Sequence, residues 1–125
     1  MIATTAAVCL ALNVFYESRS EPLEGQIAVA YVTHHRAKEN PNNYCKVVFA
    51  KNQFSWTKEN KDGTINPNSK EWKQAVKVSQ TFLWYYDRTD KATYFHRKGL
   101  KPKWSLDFKK VATIGKHVFY KESNG

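Results

Sequence analysis

Cysteine is scarce: the chain of 125 residues holds two, Cys9 and Cys45. Two are too few for a disulfide framework, and no Cys-x-x-Cys pair offers a zinc site. Buried free thiols are the expectation. Long apolar runs are also missing. The longest candidate, Ala6 to Tyr16, is interrupted by Asn13. It falls short of the roughly 18–20 residues of a spanning helix, so no membrane span is expected. No Lys or Arg precedes it, and it runs directly into Tyr16-Glu17-Ser18-Arg19. It is therefore read as part of the folded domain and not as a signal peptide. Internal repeats and low-complexity tracts are absent. Acidic residues are few, 11 against 20 Lys and Arg, giving a net charge of +9. Such a field draws polyanions. Nucleic acid, anionic lipid and the acidic bacterial wall all qualify, and charge alone does not choose among them.

What is present is ordinary for a globular domain, with 42% apolar and 25% charged residues. The length suits one domain over residues 1–125. A first helix is expected from about Thr4 to Arg19, apolar nearly all round and therefore buried. Pro22 stops it and suits the start of a second helix. Leu23, Ile27, Ala30, Tyr31 and His34 mark a face of that second helix to about Arg36. From Ala37 to Ser69, turn clusters such as Asn40-Pro41-Asn42-Asn43 predict irregular structure with short β pieces. Ser69 is a plausible N-cap for a helix carrying Trp72, Ala75, Val76, Ser79, Phe82, Leu83 and Tyr86 at helical spacing. Ala92 to His96 predicts a short strand. Arg97 to Trp104 is a basic loop, and Ser105 is expected to cap a last helix through Phe108, Val111, Ala112, Gly115, Val118 and Phe119. The fold class is thus α+β, mainly helical, with a small β element flanking a cleft.

Glu17 carries the strongest chemical signal. It sits in the last turn of an apolar helix, where both the helix dipole and partial burial disfavour negative charge. Both raise a carboxyl pKa toward the range a general acid needs at neutral pH. The plainer reading is a helix-end Glu paired with Arg19. Glu21 lies four residues on, beyond the helix break, and two nearby carboxylates suit glycoside cleavage. Alone, Glu21 reads as a charge favoured at a helix N-terminus. Gln53-Phe54-Ser55-Trp56 joins an amide, a hydroxyl and two rings, a set that suits sugar binding or two core anchors equally. His96, at a strand end with Tyr94 nearby, is placed either to donate to substrate or to pair with a backbone carbonyl. The histidines His34, His35, His96 and His117 show no His-x-x-x-His or His-Glu-x-x-His spacing, so no metal site is expected. Lys98, Lys101, Lys103, Lys109 and Lys110 surround Trp104. No nucleic-acid-binding signature accompanies them, and they read as a solvated basic face able to hold an anionic wall.

Asn13-Val14-Phe15-Tyr16-Glu17-Ser18-Arg19-Ser20-Glu21 resembles the segment of the SleB/CwlJ cell-wall hydrolases that ends in E-A-R-G-E. Glu24-Gly25-Gln26-Ile27-Ala28-Val29-Ala30, Cys45-x-Val47-Val48, Gln53-Phe54-Ser55-Trp56, Ala92-Thr93-Tyr94-Phe95-His96 and Ile114-Gly115-Lys116-His117-Val118-Phe119-Tyr120 resemble that family's later blocks, in order, the final one as a terminal helix. Ser18 and Ser20 depart from the family's Ala and Gly. The resemblance implies a lysozyme-like fold related to lytic transglycosylases and resuscitation-promoting factors. It implies cleavage of peptidoglycan glycan strands between N-acetylmuramic acid and N-acetylglucosamine. Glu17 would be the acid/base and Glu21 a supporting carboxylate, with Gln53, Phe54, Ser55, Trp56, Tyr94 and His96 on substrate. It implies neither metal nor cofactor. A monomer acting on the cell wall is expected, made in a host cytoplasm like a phage lysin or excised from a secreted wall enzyme. A hydrolytic muramidase is the alternative outcome, and a basic binding module without catalysis is the rival of another class.

Overall fold

The computed structural model describes residues 4–50 and 65–122. Four helices precede a small sheet: α1 (Thr4–Ser18), α2 (Leu23–Arg36), α3 (Tyr44–Val48) and α4 (Lys70–Thr81), then β1 (Tyr94–Arg97), β2 (Phe108–Ile114) and β3 (His117–Glu122). The mainly helical α+β expectation holds, and the ends of α1 and α2 fall within one residue of those expected. Pro22 is the N-cap of α2, its fixed φ of −62° leading the chain into the helix.

α2 is the centre of the molecule. Every residue from Gly25 to His34 is buried. The run is Gly-Gln-Ile-Ala-Val-Ala-Tyr-Val-Thr-His, small or apolar on every side, so neighbours can close on it all round. Leu10, Val14 and Phe15 of α1, Tyr44 of α3, and Ala75, Val78 and Phe82 at α4 form the main core with it. Ala28 and Val32 face the sheet residues Ile114 and Phe119.

Three expectations need correction. Val47-Val48-Phe49 is not a β piece: Tyr44–Val48 is a short helix whose Tyr44 and Val48 are fully buried. A preceding 3₁₀ turn at Pro41–Asn43, capped by the Asn40 side chain on Asn42 N–H, delivers the chain into it. Tertiary burial decides here over the β propensity of two valines. At the C-terminus no helix forms. Residues 108–122 are a β-hairpin, with sheet order β1-β3-β2 and all pairings antiparallel. Gly115 turns it at φ +57°, a conformation glycine adopts without steric cost. Ser105 does not cap a helix; its hydroxyl donates to Pro102 O at 2.7 Å. Val111, Thr113, Ile114 and Val118 are β-branched, which suits a sheet. Elsewhere Ser69 caps α4 as expected, accepting from Trp72 N at 3.2 Å. That helix ends at Thr81 and tightens into a 3₁₀ turn at Phe82–Trp84, so it does not continue to Tyr86.

The third correction concerns the cysteines. Cys9 and Cys45 are not free thiols but a disulfide, tying α1 to α3 across 36 residues. The two helices pack side by side and set the Cα atoms 5.2 Å apart, a separation disulfides require. Closing a loop of 36 residues stabilises the fold by about 4 kcal/mol in the chain-entropy account. Thermal melts with and without a thiol reductant check this, with a fall in Tm on the order of 10 °C expected on reduction.

Candidate active site

Glu17 sits in the last turn of α1, one residue before the helix ends at Ser18. Ser18 is buried and turns its hydroxyl back to Val14 O at 2.7 Å. Arg19, one of the bases that the plainer reading would pair with Glu17, lies with its guanidinium 5.1 Å from the Phe15 ring centroid. Glu17 itself is part-buried, and among the described residues it makes no hydrogen bond or ion pair. Burial raises its pKa to about 7, and burial is the one cause found among the described residues. A carboxyl with these properties is protonated in a good fraction of molecules at neutral pH. It is ready both to give a proton and to take one back.

One turn earlier, Asn13 is fully buried. Its Oδ1 accepts from the Thr33 hydroxyl of α2 at 2.7 Å. Its Nδ2 has no hydrogen-bond partner among the described residues. Such an orphaned donor costs about 1–3 kcal/mol. Sequence reasoning assigned Asn13 no role of its own. The signal was there: it is the one amide in an otherwise apolar helix.

Glu21 has the opposite environment. It is 8% exposed, and its Oε1 accepts from Lys116 N–H at 2.7 Å, 95 residues away. His117 Nδ1 stands 3.3 Å from the same oxygen, without hydrogen-bonding geometry. Burial lowers the pKa of His117, with Glu21 pulling the other way. A Cβ on Gly115 would lie 2.5 Å from Glu21 Oε1. The Glu21 carboxylate is therefore seated between the β2–β3 turn and Gly25 in the first turn of α2, the helix start at which its charge was expected. Its backbone oxygen also accepts from Gln26 Nε2 at 3.1 Å.

Tyr94 and His96 point to one face of β1, and Phe95, between them, to the other. Phe95 packs toward the helices, against the clusters around Val48 and around Ala28 and Val32. Tyr94 and His96 join Trp104 on the outer face, at ring-centroid distances of 5.3 and 5.7 Å. Phe108 and Tyr120 complete that cluster, 5.6 and 5.2 Å from Trp104. His96 Nδ1 lies 2.8 Å from the Arg97 carbonyl and Nε2 lies 3.0 Å from the Tyr120 hydroxyl. The Arg36 guanidinium stacks over Tyr94, 4.4 Å from its centroid. The sheet thus groups Tyr94 and His96 with each other around Trp104. Gln53, Phe54, Ser55 and Trp56 lie outside the described residues.

A groove of about 530 Å³ begins at Pro22, lined by Leu23, Ile27, Tyr85 and Tyr86 with the Arg88–Glu24 ion pair on its edge. The sequence hides this groove because Tyr86 fits the helical spacing of α4, which the 3₁₀ turn at Phe82–Trp84 ends. Among the described residues no group of three or more His, Cys, Asp or Glu could hold a metal ion. Lys98, Lys101, Lys103, Lys109 and Lys110 are all exposed, as a solvated basic face requires.

The family profile described as cell wall hydrolase matches residues 20–120. The chain belongs to the cell wall hydrolase family. Two solved structures extend the likeness over nearly all the chain. The catalytic domain of the germination-specific lytic transglycosylase SleB from Bacillus anthracis is 28% identical, with TM-score 0.77, covering 95% of this chain and 96% of that one. The catalytic domain of the Bacillus cereus SleB protein is 30% identical, with TM-score 0.73, covering 94% and 91%. Comparison with curated proteins gives no match at the threshold applied. The family match begins at Ser20, just past Glu17, and includes Glu21 and the hairpin that Glu21 holds. The lysozyme-like fold expected from the sequence is the fold of these SleB domains.

Because Glu21 carries the hairpin turn, its loss acts on stability. Glu21→Ala is expected to cost about 1.5–3 kcal/mol, the value of a hydrogen bond to a charged group. Glu21→Gln keeps an acceptor for Lys116 N–H and should cost less than half of that. Gly115→Ala, strained at positive φ and crowded against the carboxylate, should cost at least about 1–2 kcal/mol. Urea unfolding of the three variants gives the ranking.

Proposed function

We propose that this enzyme cleaves peptidoglycan glycan strands between N-acetylmuramic acid and N-acetylglucosamine as a lytic transglycosylase, with Glu17 as the single acid/base. The observation that carries the reading is the Glu17 carboxyl, part-buried, without a partner among the described residues, and raised to a pKa of about 7 by burial. Protonated Glu17 gives its proton to the glycosidic oxygen as the bond to the muramoyl C1 breaks. The resulting carboxylate takes the proton of the muramoyl C6 hydroxyl, whose oxygen closes on C1. The products are a 1,6-anhydromuramoyl end and a free N-acetylglucosamine hydroxyl, and Glu17 is protonated again. No water is consumed.

The seating of Glu21 favours this route over hydrolysis with two carboxylates. Its oxygen is held by Lys116 N–H inside the fold, so it supports the site by fixing the hairpin. Family membership and the SleB neighbours support wall cleavage by a glycosidase-type enzyme, and one neighbour is named a lytic transglycosylase. The aromatic groove at Pro22 offers ring faces to sugars, and the exposed lysines attract an anionic wall. The Cys9–Cys45 disulfide supports a working site outside the reducing cytoplasm.

Glu17→Gln should remove nearly all lytic activity on a peptidoglycan zymogram while far-UV circular dichroism stays unchanged. A variant keeping a tenth of wild-type turnover would overturn the assignment. Mass spectra of digested wall should show muramoyl ends one water lighter than hydrolytic ends. Reducing muramic ends alone would indicate a muramidase. Binding without release of sugar fragments would indicate a non-catalytic basic module.

Two pH effects follow from the raised pKa. Activity that needs protonated Glu17 should fall as pH rises through about 7. Stability should fall over a lower window. Between the ordinary carboxyl value of 4.5 and about 7 the folded state binds the extra proton, so unfolding becomes easier as pH rises. Above that window Glu17→Gln should be more stable than wild type by about 1–3 kcal/mol, read from urea midpoints at pH 8.

A further inference from the structure

Among the described residues, two polar groups one helical turn apart on α1 lack partners. Asn13 is fully buried, with Oδ1 held by the Thr33 hydroxyl at 2.7 Å and Nδ2 without an acceptor. Glu17, four residues later, has no donor to its carboxyl among the described residues. Residues four apart share a helix face. Side chains on a helix lean toward its N-terminus, so a glutamate covers the turn before its own Cα. The side chain of Glu17 therefore lies over the turn that Asn13 occupies. One group is a donor lacking an acceptor, and the other becomes an acceptor whenever it ionises.

We propose that Asn13 is a positioning residue for Glu17: its free Nδ2–H receives the carboxylate each time Glu17 has given up its proton. The proposal rests on Glu17 as the acid/base. The protonated carboxyl needs no such donor, whereas its anion in a desolvated site does. The bond forms when the proton leaves for the glycosidic oxygen and breaks when Glu17 takes a proton back. Thr33 completes the device. The amide is planar, so a hydroxyl holding Oδ1 also fixes where Nδ2 points. No other charge competes among the described residues. Arg19 of α1 lies on Phe15, His34 of α2 is 2.6 Å from the Tyr44 hydroxyl, and His117 of β3 stands beside Glu21. Burial is the cause of the raised Glu17 pKa, with no charged group beside it among the described residues.

The test is a carboxyl-carbon NMR titration of Glu17 in the wild-type protein, Asn13→Ala and Thr33→Val, paired with pH–rate profiles of peptidoglycan solubilisation. Removing the donor, or freeing the amide to rotate, should raise the Glu17 midpoint by roughly one pH unit, the size of one hydrogen bond to an ionised group. The limb of the rate profile near pH 7 should move up with it, with kcat reduced about tenfold and KM within twofold. An unchanged midpoint in folded Asn13→Ala or Thr33→Val overturns the proposal, even if activity is lost, because Asn13 is then only a packing element. If Asn13→Ala does not fold, the near-isosteric Thr33→Val decides alone. The catalytic reading fails separately, if Glu17→Gln stays active, and the midpoints still report whether the two side chains pair.

Discussion

Burying α2 on all sides is the constraint from which the rest of the structure follows. A helix with no solvent face needs partners for every polar side chain it carries. Each of those partners comes from a different part of the chain. Gln26 reaches the turn after α1, Thr33 reaches Asn13 of α1, and Tyr31 donates to the Tyr85 carbonyl beyond α4. His34 meets Tyr44 of α3, and Arg36 donates to the Thr93 carbonyl just before the sheet. His35 binds Asp87 at 2.6 Å. Burial would raise the Asp87 pKa, but hydrogen bonds from His35 and Thr89 outweigh it and hold the carboxyl at about 2. α2 is thus both the apolar core and the node to which the other elements are tied.

The end of α1 holds two carboxyls in contrasting surroundings. Glu17 and Glu21 are the same residue type four positions apart, and the fold treats them oppositely. Glu21 receives a backbone N–H and becomes a fixed part of the hairpin. Glu17 has no such bond among the described residues, and burial raises its pKa. The short segment after Ser18 makes this possible, with Glu21 N–H returning to Ser18 O before Pro22 opens α2. This contrast is what the proposed reaction, with one acid/base and no second carboxylate, rests on.

The helices were legible because their burial follows a local period. α1 and α2 are apolar runs closed by a polar turn with Pro22, and α4 begins at a serine whose capping bond is itself local. Glu17 was legible for the same reason, as a charge at the end of an apolar helix. What was hidden depends on distant partners. Nothing near Cys9 or Cys45 shows that α3 will pack on α1, so the disulfide was taken for two thiols. Phe108, Val111, Ala112, Gly115, Val118 and Phe119 fit a helical face by spacing. Their β-branched neighbours and the glycine turn decide for a hairpin once β1 is there to pair with. The role of Glu21 was hidden likewise, because its partner Lys116 lies at the far end of the chain. Tyr94 and His96 were placed correctly on a strand, but strand alternation sends them to the face opposite the helices.

The strand order has a consequence for how the protein is made. β3 is the last strand in sequence, yet it lies in the middle of the sheet and pairs with both others. Among the described residues, neither β1 nor β2 has a strand partner until residues 117–122 have been made. Until then Ile114 has no strand beside it, and Glu21 has no Lys116 N–H to bind. The helices can collapse around α2 earlier, but the carboxylate that anchors the hairpin waits for β3, so among the described elements the sheet is the last to close.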